Sequence, residues 1–263
     1  MSETFLDKIL AIKRRKVDGQ KSEADLAALK ERAFAIRQNA DSHWLKAVLS
    51  RSDKTNIIAE IKRASPSKGV INDKIDVVET ARRYRDGGAA AISVLTEEDF
   101  FKGSLDDLIA VRDAVDLPIL RKDFVVDEFQ IFETAAAGAD VMLLIVAALT
   151  SESLKEFLRS GRDELGMDVI VEVHTAKELE TAVSAGADII GVNNRDLRTF
   201  DISLDVSRNM IEHRPPNVLM IAESGISTRE EIGELRRLGF DGFLIGETLM
   251  RTANATTTLG GLI

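Results

Sequence analysis

The stretch Ala137-Gly138-Ala139-Asp140-Val141-Met142-Leu143-Leu144-Ile145-Val146 reads as the close of a helix, a turn and a buried strand. Glycine behind the last helical turn supplies a left-handed cap, and the apolar run after it has the length and branched content of a strand covered on both faces. The phrase recurs as GGAAAISVL from Gly87, AGADIIGVN from Ala185 and LGFDGFLIG from Leu238. Four other runs alternate with it: IIAEIK from Ile57, PILRKDF from Pro118, VIVEVH from Val169 and LMIAES from Leu219. Together they predict eight strands, over 57–61, 90–95, 118–122, 141–145, 169–173, 189–192, 219–222 and 242–245. Amphipathic stretches lie between them, among them 127–137, 151–165, 175–185 and 228–238. Eight such alternations predict an α/β fold, a single (β/α)8 TIM barrel. A doubly wound open sheet usually has fewer strands and a glycine-rich phosphate loop after the first. Here KRASPSKG follows it, which does not fit that fingerprint.

Residues 1–50 fall outside the repeat. Phe5, Leu6, Ile9, Leu10 and Ile12 form one helical stripe, and Leu26, Leu29, Ala33 and Ile36 another. They predict an N-terminal helical extension packed on a barrel over 51–263, one structural domain overall; a sharper reading gives the extension a role as a lid on the active site. No linker divides the 263 residues, and 44% hydrophobic with 30% charged residues is the composition of a soluble globular protein. The N-terminus lacks the apolar core of a signal peptide, and Val141 to Leu149 is too short to span a bilayer, so the expected setting is cytoplasmic, without a membrane partner. The absence of cysteine excludes disulfides, thiolate metal sites and cysteine nucleophiles. A net charge of −9 argues against nucleic acid as a partner, while leaving room for a local cationic pocket.

Charged residues end four of the apolar runs: Glu60 with Lys62, Lys122, Glu172 and Glu223, spaced 60, 50 and 51 residues apart from Lys62 onward. Separate burial of these charges in a core would be very costly. Side chains alternate along a strand, so Ile58, Glu60 and Lys62 share a face, as do Leu120 with Lys122, Ile170 with Glu172, and Ile221 with Glu223. If the apolar member fills the barrel, the charged member sits nearer the C-terminal mouth, where this fold builds its active sites. The charges fall on strands 1, 3, 5 and 7; the even strands offer Thr96, Asn193 and Gly246 instead. Two lysines and three glutamates in one pocket make an acid and base set whose pKa values burial and neighbouring charge can tune. The plainer reading is a ring of salt bridges tying strands together.

Phosphate features accompany the charges. Ser224-Gly225-Ile226-Ser227 follows strand 7, before a helix that Ser227 or Thr228 can cap, and Gly246-Glu247 closes strand 8. Barrels of this kind hold phosphate on these two loops, with backbone N–H groups and a helix N-terminus. Ser65, Ser67 and Lys68 after strand 1 can close the same site. Phe101 and Phe124 can clamp an aromatic ring or simply pack. Arg195 can meet an anion or pair with Asp196, His174 reads as a loop or supporting residue, and Trp44 as helix packing. With only His43 and His213 besides His174, no metal-like cluster is visible.

Several long motifs in one order, AEIKRASPSKG, SVLTEEDFFKGS, PILRKDFVVDEFQI, ADVMLLIVAAL, VEVHTAKEL, GVNNRDLRTF and IAESGIS, closely resemble the indole-3-glycerol phosphate synthase family of tryptophan biosynthesis. The resemblance covers nearly the whole chain. It implies a phosphosugar substrate, anthranilate joined through nitrogen to deoxyribulose 5-phosphate, that undergoes ring closure, decarboxylation and dehydration. By resemblance Lys122 is the general acid at the sugar carbonyl, Lys62 holds the substrate carboxylate and Glu172 serves the dehydration. Glu60, Asn193 and Glu223 position the ring nitrogen and hydroxyls. Phe101, Phe124 and Leu143 match the aromatic pocket, Arg195 and Leu197 the mouth, and Ser65, Gly225, Gly246 and Glu247 the phosphate region; Ser224 and Leu244 are further expected substrate-binding residues. Some family members carry Ser where this chain has Glu247; a carboxylate repels phosphate, so its side chain is expected to turn away and leave the binding to the backbone. No metal or organic cofactor is implied, and the chain is expected to be a monomer or weak homo-oligomer. Two alternatives remain: a noncatalytic sugar-phosphate-binding barrel, and a related phosphosugar isomerase, whose family uses a cysteine and aspartate pair that a chain without cysteine cannot supply.

Overall fold

The computed structural model describes residues 4–263. Eight parallel strands close into a barrel: β1 (Ile57–Ile61), β2 (Ala91–Leu95), β3 (Ile119–Lys122), β4 (Val141–Ile145), β5 (Asp168–Val173), β6 (Ile189–Asn193), β7 (Leu219–Glu223) and β8 (Gly242–Ile245). Each strand pairs with its sequence neighbours, and β8 returns to β1 with Ile58 opposite Leu244. The sequence placed every strand to within a residue at each end.

Helices α1 (Phe5–Glu23), α2 (Leu26–Arg37) and α3 (Trp44–Leu49) precede the barrel. Around it run α4 (Val77–Asp86), α5 (Leu105–Ala114), α6 (Glu128–Ala136), α7 (Ser151–Leu158), α8 (Ala176–Ala185), α9 (Asp205–Ile211), α10 (Arg229–Leu238), α11 (Glu247–Met250) and α12 (Ala255–Leu262). The glycine punctuation takes the expected form, since Gly138, Gly186 and Gly239 after α6, α8 and α10 all have positive φ, open to glycine without a Cβ penalty. The helix expected over 151–165 is α-helical only to Leu158 and continues as a π-helical turn through Glu164. Within that turn Gly161 packs so closely on Met142 that a Cβ would collide with it.

Burial separates two cores. Between strands and outer helices lies the larger one, with Ile57, Ala59 and Ile61 of β1 and Val169, Val171 and Val173 of β5. Inside the barrel lie Ile58, Leu120, Ile170 and Ile221 from odd strands, with Ala91, Val141, Leu143, Ile189 and Leu244 from even ones. The same interior cluster takes in Leu10 of α1 and Leu45 and Leu49 of α3. Asp168, opening β5, accepts the backbone N–H of Lys46 at 2.9 Å and so pins α3 to the barrel. Trp44, at the start of α3, packs its ring under the Arg112 guanidinium, 5.6 Å from the centroid. Among the described residues no helix is long and apolar enough to cross a membrane.

Candidate active site

Strand parity gathers the charges as the alternation requires. Two residues beyond the interior Ile58, Leu120, Ile170 and Ile221 stand Glu60, Lys122, Glu172 and Glu223, all bordering one cavity of about 230 Å³ at the C-terminal mouth. Lys62 pairs with Glu60, while Lys122 Nζ lies 3.1 Å from Glu172 Oε2 and 3.4 Å from Glu223 Oε2. Two glycines make room for the carboxylates. A Cβ on Gly191 of β6 would strike Glu223 Oε1, and one on Gly246 would strike Glu60 Oε1.

The charges tune one another. Burial alone would lower the Lys122 ammonium, but the carboxylates of Glu172, Glu223 and Glu60 outweigh it and hold the pKa above that of an ordinary lysine. Burial would raise Glu172, yet Lys122 and His174 keep it below the usual glutamate value. For Glu223, burial and the nearby Glu172 and Glu60 outweigh Lys122, so its pKa is pushed up to about 7. Neither Glu223 oxygen makes a hydrogen bond among the described residues. One buried acid is therefore poised near neutrality beside an ionised one, the arrangement from which acid and base roles separate.

Directly after Glu223, Ser224 and Gly225, which also border the cavity, both adopt positive φ, 67° and 79°. Asn194 fixes this turn by donating from Nδ2 to the carbonyls of Glu223 and Ser224, at 3.0 and 3.1 Å. Thr228 caps α10 in a capping box with Glu231, while Ser227 lines the cavity and donates its N–H to Glu231 Oε2 at 2.8 Å. Ser65, Gly246 and Glu247 border the same cavity. The Glu247 carboxylate lies 3.1 Å from Arg251 and 3.9 Å from both Lys68 and Arg195. Three cations offset the repulsion that an anion would otherwise meet there.

Every residue given a catalytic or binding role by the resemblance borders this cavity, Asn193, Phe101, Phe124, Leu143, Arg195, Leu197 and Leu244 included; of the group after β1, Ser65 and Ser67 border it and Lys68 does not. Thr96 does not border the cavity: it donates to Asp123 Oδ2, on the cavity's edge, at 2.7 Å and accepts from Arg121 Nε at 3.1 Å. Phe101 and Phe124 have centroids 6.3 Å apart, within the range of two rings in contact, so they form one wall. Arg195 does not pair with Asp196, which Arg198 engages at 2.9 Å; its guanidinium donates to Ser67 Oγ at 3.1 Å and joins the loops after β6 and β1. His174 lies outside the cavity but 3.4 Å from Glu172.

Phe5, Leu6 and Ile9 of α1, expected as packing with a lid over the active site as the sharper reading, line the cavity. Phe200 and Ile202, given no role from the sequence, line it too. Phe5 meets Phe100 and Phe200 edge-on, with centroids 5.2 Å away in each case. Glu97, almost fully buried, accepts the N–H groups of Phe100 and Phe101 at 2.7 and 3.1 Å and so sets the loop that carries Phe101. The charged, buried Glu97 at the end of an apolar run was the available signal.

The family model described as indole-3-glycerol phosphate synthase matches residues 6–262. The chain belongs to the indole-3-glycerol phosphate synthase family. Its similarity to the indole-3-glycerol phosphate synthase of Chloroherpeton thalassium is 46% identity over 257 residues, covering 94% of this chain and 95% of that protein. With the Carboxydothermus hydrogenoformans synthase it shares 44% identity over 263 residues, covering 98% and 99%. The family's barrel is shared more distantly: 3-hexulose-6-phosphate synthase from Salmonella typhimurium superimposes with a TM-score of 0.65 at 15% identity, over 79% of this chain and 96% of that one. At that identity the likeness concerns fold alone.

Proposed function

We propose that this cavity is where the chain performs the reaction of its family, closing 1-(2-carboxyphenylamino)-1-deoxyribulose 5-phosphate to indole-3-glycerol phosphate with loss of carbon dioxide and water. It is a carboxy-lyase of tryptophan biosynthesis. The observation that carries the assignment of roles is Lys122, a buried ammonium held between Glu172 at 3.1 Å and Glu223 at 3.4 Å, with the Ser224-Gly225 turn bordering the same cavity.

In this reading phosphate sits on backbone N–H groups around Gly225 and Gly246, with Ser65 closing the site, and the anthranilate ring lies against Phe101, Phe124, Leu143 and Leu244. Arg195 and Leu197 border the mouth. Lys62 holds the carboxylate, and Lys122 protonates the sugar carbonyl as the aromatic carbon attacks it. Attack interrupts aromaticity and decarboxylation restores it, so the protein's work is to position groups and move protons. Glu172 takes the proton released in the dehydration. Glu60 and Asn193 orient the ring nitrogen and hydroxyls, and Glu223, half protonated near neutrality, both donates and accepts hydrogen bonds there. The net charge of −9 supports a small-molecule partner rather than nucleic acid, and we infer a cytoplasmic monomer or weak homo-oligomer without metal or organic cofactor.

Incubating the purified protein with this substrate and following indole fluorescence tests the reading. Product is expected from the natural chain, and Lys122→Met is expected to abolish turnover while leaving the fold and phosphate affinity largely intact. Binding without carbon dioxide release would make the chain a noncatalytic phosphosugar binder, and full turnover in the variant would remove Lys122 from the chemistry.

A further inference from the structure

The reaction consumes one proton per turnover. The carbonyl oxygen gains a proton as the carbon–carbon bond forms, and the carboxylate leaves as carbon dioxide with its bonding pair returned to the ring. The new hydroxyl then departs as water with a second proton, while the ring methylene beside nitrogen gives one up. Two protons are delivered, the first from Lys122 and the second from Lys62 once the carboxylate it holds has left, and Glu172 recovers one, so one must enter from solvent before both lysines are charged again. The site that needs it lies beneath α1, whose Phe5, Leu6 and Ile9 border the cavity.

A line of titratable groups leaves the cavity through the barrel wall. Glu172 receives Lys122 on Oε2 at 3.1 Å, and its other oxygen, Oε1, lies 3.4 Å from His174 Nε2. His174 Nδ1 is 3.3 Å from Glu178 Oε2, which also accepts the His174 backbone N–H at 2.8 Å and so fixes the imidazole. Glu178 lies in the first turn of α8. Side-chain exposure rises along the line, from 2% at Glu172 to 12% at His174 and 22% at Glu178. His174 Nε2 is buried and makes no hydrogen bond of its own among the described residues, so it is free to serve the Glu172 oxygen beside it.

We propose that His174 and Glu178 form a proton relay that reloads Lys122 through Glu172 after each turnover. This rests on the assignment of Lys122 as the acid. The imidazolium passes its Nε2 proton to Glu172 and Glu172 passes one to the Lys122 amine; the neutral ring, left with its proton on Nδ1, is recharged when that proton is exchanged through water to Nε2 and Glu178 with solvent delivers another to Nδ1. The groups facing His174 support a charged ring: burial opposes the imidazolium, but Glu178, Glu172 and the more distant Glu223 together raise its pKa above the ordinary value, with Lys122 the cation beyond Glu172. His174 and Glu178 are positioning residues, since neither borders the cavity.

The test separates the first turnover from those that follow. Lys122 begins protonated, so His174→Asn should form the first equivalent of product per site at a rate within about twofold of the natural chain, then turn over at least tenfold more slowly. Added imidazole buffer should restore the slow phase in proportion to its concentration, and Glu178→Gln should show the same pattern more weakly. Equal slowing of both phases would reduce His174 to a structural prop for Glu172, and unchanged kinetics in both variants would exclude the relay. If His174→Asn does not fold, Glu178→Gln, a near-isosteric change at a half-buried position in the first turn of α8, decides by the same criteria. A natural chain without turnover overturns the functional reading itself, which a failure confined to the variants does not.

Discussion

Glu223 concentrates the electrostatic strain of the site in one residue. It is buried without a hydrogen bond, faces Glu172 and Glu60, and fits only because Gly191 on the adjacent strand has no side chain. A carboxyl whose folded pKa lies above its unfolded value binds its proton more tightly in the native state, so its ionisation opposes folding as pH rises. With the pKa moved from 4.5 to about 7, the penalty is absent below pH 4.5, grows through the interval and is complete above pH 7. Glu223→Gln should therefore stabilise the chain at pH 8 by on the order of 2–3 kcal/mol and have little effect at pH 4. Urea unfolding at the two pH values checks it; a stability difference independent of pH would mean that Glu223 is ionised freely in the folded protein.

At the scale of the element, α1 is fastened over the mouth by charges that reach the segments after two strands, β2 and β3. Lys13 is buried and pairs with Asp123 at 2.6 Å, just past the end of β3; Lys16 reaches Glu98 and Asp99 at 2.9 Å in the loop after β2; and Lys21 meets Asp127, the cap of α6, at 2.9 Å. The Lys16 and Lys21 pairs are exposed and contribute little, whereas removing one partner of a buried pair strands the other. Lys13→Met should cost about 3 kcal/mol and, by loosening Phe5, Leu6 and Ile9 over the cavity, raise KM several-fold with a smaller effect on kcat. Calorimetry together with steady-state kinetics measures both; an intact KM beside a lowered melting temperature would make the pair a structural staple only. These contacts mark where the sequence ceased to be legible. Strand parity carried Glu60, Lys122, Glu172 and Glu223 to one mouth because alternation is a local rule. That Phe5 meets Phe200, that Gly191 makes room for Glu223, and that His174 touches Glu172 while Thr96 turns to Asp123 depend on how distant segments pack, and no spacing along the chain encodes it.

For the whole molecule the extension works at both ends of the barrel. Leu10 of α1 joins the interior cluster near the mouth, while Leu45 and Leu49 of α3 enter it beside Gly242, whose Cβ would press on Leu49. Arg37 of α2 adds a buried clasp on the flank, donating to the carbonyls of Leu165 and Gly166, each at 3.1 Å, and to Asp140 at 3.2 Å. We propose that residues 1–50 and the barrel form one folding unit, with α1 dispensable for the fold and α3 indispensable. Fully burying a leucine is worth about 1.5–3 kcal/mol, so losing Leu45 and Leu49 forfeits about 3–6 kcal/mol of a total that is typically about 5–15. Removing residues 1–24 should leave a cooperative melt with weakened substrate affinity, because the interior below the mouth stays plugged. Removing residues 1–50 should give a chain that aggregates or melts without cooperativity, since the barrel then opens its apolar interior to water at the α3 end. Size-exclusion chromatography and thermal unfolding of the two truncations decide between this and an autonomous barrel, which would melt within a few degrees of the full chain after either cut.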